Sequence, residues 1–278
     1  MPESAASYDS LFAKIYSEIP ECGIIGLDAV ADGSFLWRYL GESKPLRQFY
    51  LPYAFEGLRR YHTVPLPPTF EEYLAKFNAK KRYNLKRQVR ILQDRSEGSL
   101  RLQCVESPGQ VDKMLDVASA LWPSHVPKFF SPVANRPDAQ RRFTSLAARG
   151  LLRSYYLESA SDPVACILGF QHGSVYVVDA TMYNKALAPF SPGAVMQFLF
   201  LQDVISRRPV RLINFGFGDP ESGYETTNVY FGAAPFLLFR NTFANRMRRS
   251  THAVFRSTLA TAKKVLRRVR HKREGADG

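Results

Sequence analysis

Cysteine is scarce in this 278-residue chain: Cys22, Cys104 and Cys166 are three, an odd number, and far apart. They make no CxxC pair and no Cys/His cluster. That excludes a disulfide framework and a structural zinc site and points to a reducing compartment. Long hydrophobic runs are missing too, since none approaches the roughly 20 residues a membrane-spanning helix needs. The start, Met1-Pro2-Glu3-Ser4, has neither a basic segment nor an apolar run, so no secretory signal is expected. The expected location is the cytoplasm, with the inner face of a membrane as a second expected place. No internal repeat or low-complexity tract is present, and no metal is called for.

Acids are absent from one stretch. Residues 246 to 273 hold 11 Lys/Arg and no Asp or Glu, in a chain of net charge +13. The remainder carries 27 Lys/Arg against 25 Asp/Glu, so the basic character belongs to the C-terminal tail. There Phe243, Met247, Val254, Phe255, Leu259, Ala262, Leu266 and Val269 recur at helical spacing with Arg and Lys between them. A basic amphipathic helix of this kind lies on an anionic membrane, binds RNA phosphates such as those of tRNA, or docks its apolar stripe on the body and leaves the basic face in water. A second basic cluster, Lys80, Lys81, Arg82, Lys86, Arg87 and Arg90, falls on a helix expected over about 80–93. Its readings are a solvated face, contact with a polyanion, or contact with a nucleotide phosphate.

What is present supports a sizeable core, with 45% apolar residues. Helical and strand patterns alternate, which predicts an α/β or α+β fold around a mixed sheet. Pro65-Leu66-Pro67-Pro68 stops both helix and central strand and marks a boundary. The expected parts are an N-terminal subdomain over 1–64, a main domain over 65–242, and a basic helix and tail over 243–278. Thr69 with Glu72 three residues on reads as a capping box. Gly23 to Leu40 reads as short strands with loops, and Tyr224 to Phe231 as a short helix.

The most informative stretch runs from Pro163 to Ser206. Two alternating apolar runs, Pro163–Phe170 and Val175–Thr181, flank Gln171-His172-Gly173-Ser174 and read as a hairpin. Ser191 and Pro192 then open a helix through Val195, Phe198, Leu199 and Val204, with Ser as N-cap and Pro at the first helical position. Its free N–H groups and its dipole make a candidate anion site.

The order strand, linker, Pro-Gly, helix, strand, Gly-x-Gly resembles that of the GNAT acyltransferases. Tyr73-Leu74, Lys81-Arg82-Tyr83-Asn84-Leu85-Lys86-Arg87, Phe190-Ser191-Pro192-Gly193 and Asn214-Phe215-Gly216-Phe217-Gly218 resemble the GNAT subgroup named for the cellulose-biosynthesis protein CelD. That subgroup is similar to FemAB-type aminoacyl transferases. The resemblance covers roughly 66 to 242. It implies a GNAT-like mixed central sheet flanked by helices, with residues 1–64 a partial GNAT-like subdomain. Two parallel neighbouring strands, Val175–Thr181 and Leu212–Phe215, would splay around the pantetheine arm of an acyl-CoA, expected to be acetyl-CoA. The helix starting at Ser191 would receive the pyrophosphate on the amides of Gly193, Ala194 and Val195. The reaction implied is transfer of an acyl group to an amine or hydroxyl, on a small-molecule, sugar or envelope-related acceptor.

One position departs from the pattern. Relatives often carry a Lys after the aromatic that follows the Gly-x-Gly turn, and here Tyr224 is followed by Glu225. Acyl transfer needs a proton acceptor and oxyanion donors. Glu225 is the candidate base and Tyr224 the candidate acid toward the leaving thiolate, against a reading as surface and packing residues. Asp179, inside an apolar strand, needs a partner and is either structural or catalytic. His125, near Trp122, Phe129 and Phe130, either lines an acceptor pocket or packs, and Cys166 reads as core. Two other functions stay open. One is a FemAB-like aminoacyl-tRNA-dependent transferase whose basic tail holds tRNA. The other is a non-catalytic membrane-surface adaptor that kept the fold, which Glu225 in place of Lys supports.

Overall fold

A computed structural model describes residues 4–122, 131–160, 162–207, 210–217, 229–252, 254–255 and 258. Its elements in chain order are α1 (Ala5–Glu18), β1 (Ile24–Ala31), α2 (Phe35–Glu42), α3 (Lys44–Phe49), β2 (Tyr50–Ala54), β3 (Arg59–Pro65), α4 (Phe70–Ala75), α5 (Ala79–Arg95), β4 (Leu100–Val105), α6 (Val111–Leu121), α7 (Arg136–Ala148), β5 (Ser154–Ser159), β6 (Asp162–His172), β7 (Val175–Tyr183), α8 (Pro192–Arg207), β8 (Leu212–Phe217) and β9 (Val229–Arg240). Contacts divide the chain into two units: Met1–Arg60 with Phe231–Gly278, and Tyr61–Tyr230.

The unit Tyr61–Tyr230 is built on a mixed sheet in the order β3-β8-β7-β6-β5-β4. Neighbours are antiparallel except β7 and β8, which run parallel. Both faces of the sheet are buried. On one, Phe70, Tyr73, Leu92, Val195, Phe200 and Val204 of α4, α5 and α8 pack on Tyr155, Leu157 and Ile167. On the other, Val111, Met114, Leu115 and Phe143 of α6 and α7 pack on Tyr156, Cys166 and Leu168. Burial on both faces explains why Val164 to Leu168 of β6 is an unbroken apolar run. The helices begin where their caps allow. Thr69 Oγ1 accepts from the Glu72 amide at 3.2 Å, and Asn78 Oδ1 accepts from the Lys81 amide at 2.8 Å.

A buried polar network ties α8 to the sheet near its C-terminal end. Asp203 Oδ2 accepts from the Tyr155 hydroxyl at 2.9 Å and from the Arg153 guanidinium at 3.3 Å, while Asp203 Oδ1 pairs with Arg207 Nε at 2.9 Å. Arg153 is 1% exposed, and its guanidinium also donates to Gln171 Oε1 at 2.7 Å. Burial pushes the Tyr155 hydroxyl pKa far up, so it stays a donor to Asp203.

In the other unit, β9 runs antiparallel between β1 and β2. Tyr8, Phe12, Tyr39, Leu40, Leu46 and Tyr50 fill its core. Three expectations are corrected here. Phe35–Leu40 is helical rather than extended, because Ser34 caps it by accepting from the Trp37 amide, and Leu36, Tyr39 and Leu40 bury one helical face. Residues 229–231 of the expected 224–231 helix are strand, and 224–228 lie outside the described residues. Residues 231–240, expected within the main domain, group with the N-terminal residues because β1 and β2 supply their ladder partners.

Candidate functional site

The hairpin of β6 and β7 carries one extra residue. Ala165 to Leu168 face Tyr183 to Ala180 in strict register, then the ladder slips so that Gly169 faces Val178. Asp179 is the residue left over, a β-bulge, and a bulge re-aims the side chains beyond it. Before it, Tyr176 and Val178 pack on the α8 side; after it, Ala180 and Met182 pack on the α6 and α7 side. Thr181 and Tyr183 are thereby turned to the α8 side, where both line a cleft. Gly169 is required opposite the bulge. A Cβ there would lie 2.5 Å from both the Tyr176 hydroxyl and the Val177 carbonyl oxygen.

The cleft opens where β7 and β8 part. Their parallel pairing covers only Val175 with Leu212, Tyr176 with Ile213 and Val177 with Asn214. Past that point β7 runs on to Tyr183 beside β6, while β8, paired with β3 from Leu212 onward, turns through a register slip after Asn214 and goes on to pair Gly216 with His62 and Phe217 with Tyr61. Gly216 makes this turn at φ +75°, a conformation glycine adopts freely, and its amide donates to Asn214 Oδ1 at 2.9 Å. The resulting cleft holds about 280 Å³ and is lined by Thr181, Tyr183, Gly193, Ala194, Gln197 and Phe215, among others.

The start of α8 forms one wall. Pro192 has no N–H, and the amides of Gly193 and Ala194 precede the first intrahelical acceptor. The Val195 amide is different: it donates to the Ser191 carbonyl at 3.1 Å, and Val195 is buried. Of the three amides expected to receive an anion, Val195 is therefore committed to the helix, and Gly193 and Ala194 remain. Ser191 also departs from expectation. It sits in the left-handed region at φ 53°, not in the extended conformation of an N-cap, and its hydroxyl accepts from Gln88 Nε2 of α5 at 3.4 Å. Gly193 is not forced by its neighbours, because a Cβ would meet the Tyr183 ring at an ordinary 3.5 Å.

The other expected residues are distributed as follows. Asp179 is held by Arg142 of α7, with Asp179 Oδ2 to Arg142 Nη2 at 2.6 Å, and it is absent from the cleft lining. That ion pair gives the Asp179 carboxylate the partner its place in an apolar strand requires. Cys166 is fully buried and its thiol is pushed up to about 12 by desolvation, which leaves no thiolate for nucleophilic attack at neutral pH. Glu225, Tyr224 and His125 lie outside the described residues. Tyr183, Thr181 and Gln197 are cleft residues that the sequence pattern did not single out. The facing of Thr181 and Tyr183 depends on the bulge at Asp179, which leaves no local signal.

An acyl-CoA fits these groups. Two open amides at a helix start suit a pyrophosphate. Beyond Val177 the edge of β7 has no strand partner on the β8 side among the described residues. Its main-chain groups suit the amides of a pantetheine arm. Among the described residues, no group of three or more His, Cys, Asp or Glu could hold a metal ion, and no helix is long and apolar enough to cross a membrane.

Comparison with solved structures supports the fold. A conserved protein of unknown function from Bacteroides thetaiotaomicron aligns with TM-score 0.52 at 12% identity, over 83% of this chain and 75% of that one. L-PGS from Bacillus licheniformis aligns with TM-score 0.51 at 14% identity, over 88% and 78%. The C-terminal domain of a putative lysylphosphatidylglycerol synthetase from Agrobacterium fabrum aligns with TM-score 0.50 at 13% identity, over 88% and 76%. No curated protein matches the sequence. The family described as "Acetyltransferase (GNAT) domain" matches residues 79–225, more than half of the chain and the whole span from α5 through the parted strands. With that match, and with the parting of parallel strands beside an open helix start, the chain belongs to the GNAT acetyltransferase-domain family.

Proposed function

We propose that this protein is an acyl-CoA-dependent acyltransferase, with acetyl the expected group, acting on an amine or hydroxyl acceptor. One observation carries the reading: β7 and β8 separate after three paired residues, directly beside an α8 start whose Gly193 and Ala194 amides are open. In this reading those amides and the helix dipole hold the pyrophosphate. The free edge of β7 orders the pantetheine arm, and Tyr183 and Phe215 wall the gap. The acyl-CoA supplies the acyl group as a thioester. Glu225 is assigned the acceptor proton and Tyr224 the leaving sulfur, on their place after the Gly-x-Gly turn. A sugar or envelope-related acceptor rests on the resemblance to the CelD subgroup.

A thermal-shift series with acetyl-CoA, longer acyl-CoAs and free CoA tests this, because a ligand of the native state must raise apparent stability. The expected result is a shift with each, lost in Gly193→Asp while the unliganded midpoint is kept. No shift with any of them at millimolar concentration overturns the reading.

One observation favours a second reading, aminoacyl-tRNA-dependent transfer. The Gln88–Ser191 contact brings α5 to the start of α8, and α5 exposes Lys80, Lys86, Arg87 and Arg90. tRNA binding that weakens steeply with salt, without any CoA-dependent shift, is the result that selects it.

A further inference from the structure

The polarity of the C-terminal helical segment is turned outward. Residues 243–252 are helical, and Thr242 starts the helix. Its Oγ1 accepts from the Asn245 amide at 3.2 Å, and its carbonyl accepts from the Arg246 amide at 3.0 Å. At 3.6 residues per turn, Phe243, Met247 and Val254 fall within about 40° of one another. This apolar stripe faces solvent: Phe243 is 81% exposed, Met247 54% and Val254 67%. The opposite face is the docked one, and it is polar. Asn245 is buried and donates from Nδ2 to the Arg240 carbonyl at 3.0 Å. His252 Nδ1 lies 2.8 Å from the Tyr53 hydroxyl, and the two rings meet edge-on. A surface helix ordinarily docks its apolar side. Packing of the stripe on the body, one of three outcomes open from sequence, is contradicted for these residues.

The flanks of the stripe are basic. Arg246, Arg248 and Arg249 are exposed, and the first two bond the side-chain carbonyl oxygens of Asn241 and Asn245, not a carboxylate. The stretch from 246 to 273 contains no acid in its sequence. We propose that this helix docks the protein peripherally on an anionic lipid bilayer. Phe243, Met247 and Val254 enter the boundary between headgroups and acyl chains, and the three arginines meet lipid phosphates. The charge pattern selects this occupant. RNA would use the arginines and leave the apolar stripe in water. A second copy placed stripe to stripe would bring two arginine-rich flanks together. The proposal stands independently of the acyltransferase reading.

The test is co-sedimentation of the full chain with vesicles of phosphatidylglycerol and phosphatidylcholine, against vesicles of phosphatidylcholine alone. Binding to the anionic vesicles is expected to exceed binding to the neutral ones at least tenfold and to fall with salt. Phe243→Ser with Met247→Ser weakens binding at least tenfold, with circular dichroism and thermal midpoint unchanged. Replacing Arg246, Arg248 and Arg249 by Gln weakens it by about fivefold per arginine. Phe243→Trp, which keeps the apolar surface, shows a blue shift in emission on anionic vesicles. The proposal is overturned by absent binding to anionic vesicles, by undiminished binding of the serine variant, or by unshifted emission of the tryptophan variant. It is equally overturned if the chain binds tRNA but no vesicle, or forms a dimer that the serine variant dissolves without any vesicle binding.

Discussion

The two ends of α8 are built in opposite ways. Toward its C-terminus, Asp203 is saturated by Tyr155, Arg153 and Arg207 and holds the helix to the sheet beneath it. At its start, Pro192 offers no donor, Ser191 is turned to Gln88, and Gly193 and Ala194, whose amides precede the first intrahelical acceptor, line a cleft. The pinned end stabilises, and the open end is where the proposed donor would sit. Anchoring one end also fixes the direction in which the other end's amides point, so an anion meets donors that are already oriented. A helix held only by apolar packing would carry the same dipole with less control of its aim.

The largest effect should come from the pinned end. Asp203→Ala leaves the Arg153 charge buried without its carboxylate and is expected to cost about 3–5 kcal/mol, read by urea denaturation. An unfolding free energy changed by less than about 1 kcal/mol would mean that the helix is held by apolar packing alone. Next is the platform under the cleft. Gly169→Ala forces a methyl onto the Tyr176 hydroxyl and the Val177 carbonyl. A loss of about 1–3 kcal/mol is expected, and it tests whether the bulge is needed to seat β7. The open end should respond weakly in stability: Gly193→Ala meets Tyr183 at ordinary contact distance and is expected to shift unfolding by no more than about 1 kcal/mol. Smaller still is the Arg142–Asp179 pair. A double-mutant cycle with Arg142→Gln and Asp179→Asn should return about 0.2–1 kcal/mol, because the Arg142 side chain is about half exposed and water screens the pair. Much larger losses of turnover than of stability in Asp179→Asn would return Asp179 to the catalytic machinery.

Cys166 gives a check through pH. Burial pushes its thiol up to about 12, so the folded state keeps the proton that an unfolded chain releases near pH 9. The sign is that this thiol favours unfolding increasingly as pH rises above about 9. At pH 8, iodoacetamide should therefore modify Cys22 while leaving Cys166 intact until the protein is denatured.

Local features were legible in the sequence. Thr69 announces its helix, the Gly173-Ser174 turn announces the hairpin, and Pro192 marks the first turn of α8. Residues whose role is set by distant partners were not. Asp179 needs Arg142, 37 positions earlier, and its bulge reverses the facing of Thr181 and Tyr183 without any change in apolar alternation. Val195 reads as a phosphate donor by position, yet its amide is the first to find an intrahelical acceptor. The ladder of β9 is set by β1 and β2, some 200 residues away, so its grouping could not be read locally. The outward stripe of the C-terminal helix has the same origin, since Tyr53 and Arg240 choose which face docks.

In the proposed function, the open start of α8 and the parted edge of β7 together receive the donor. Amide-resolved NMR titration with CoA tests it most directly. Gly193, Ala194 and residues 178–183 should shift together and saturate with one dissociation constant, while residues 201–206 around Asp203 stay in place. Saturating CoA that leaves Gly193 and Ala194 unmoved would contradict it.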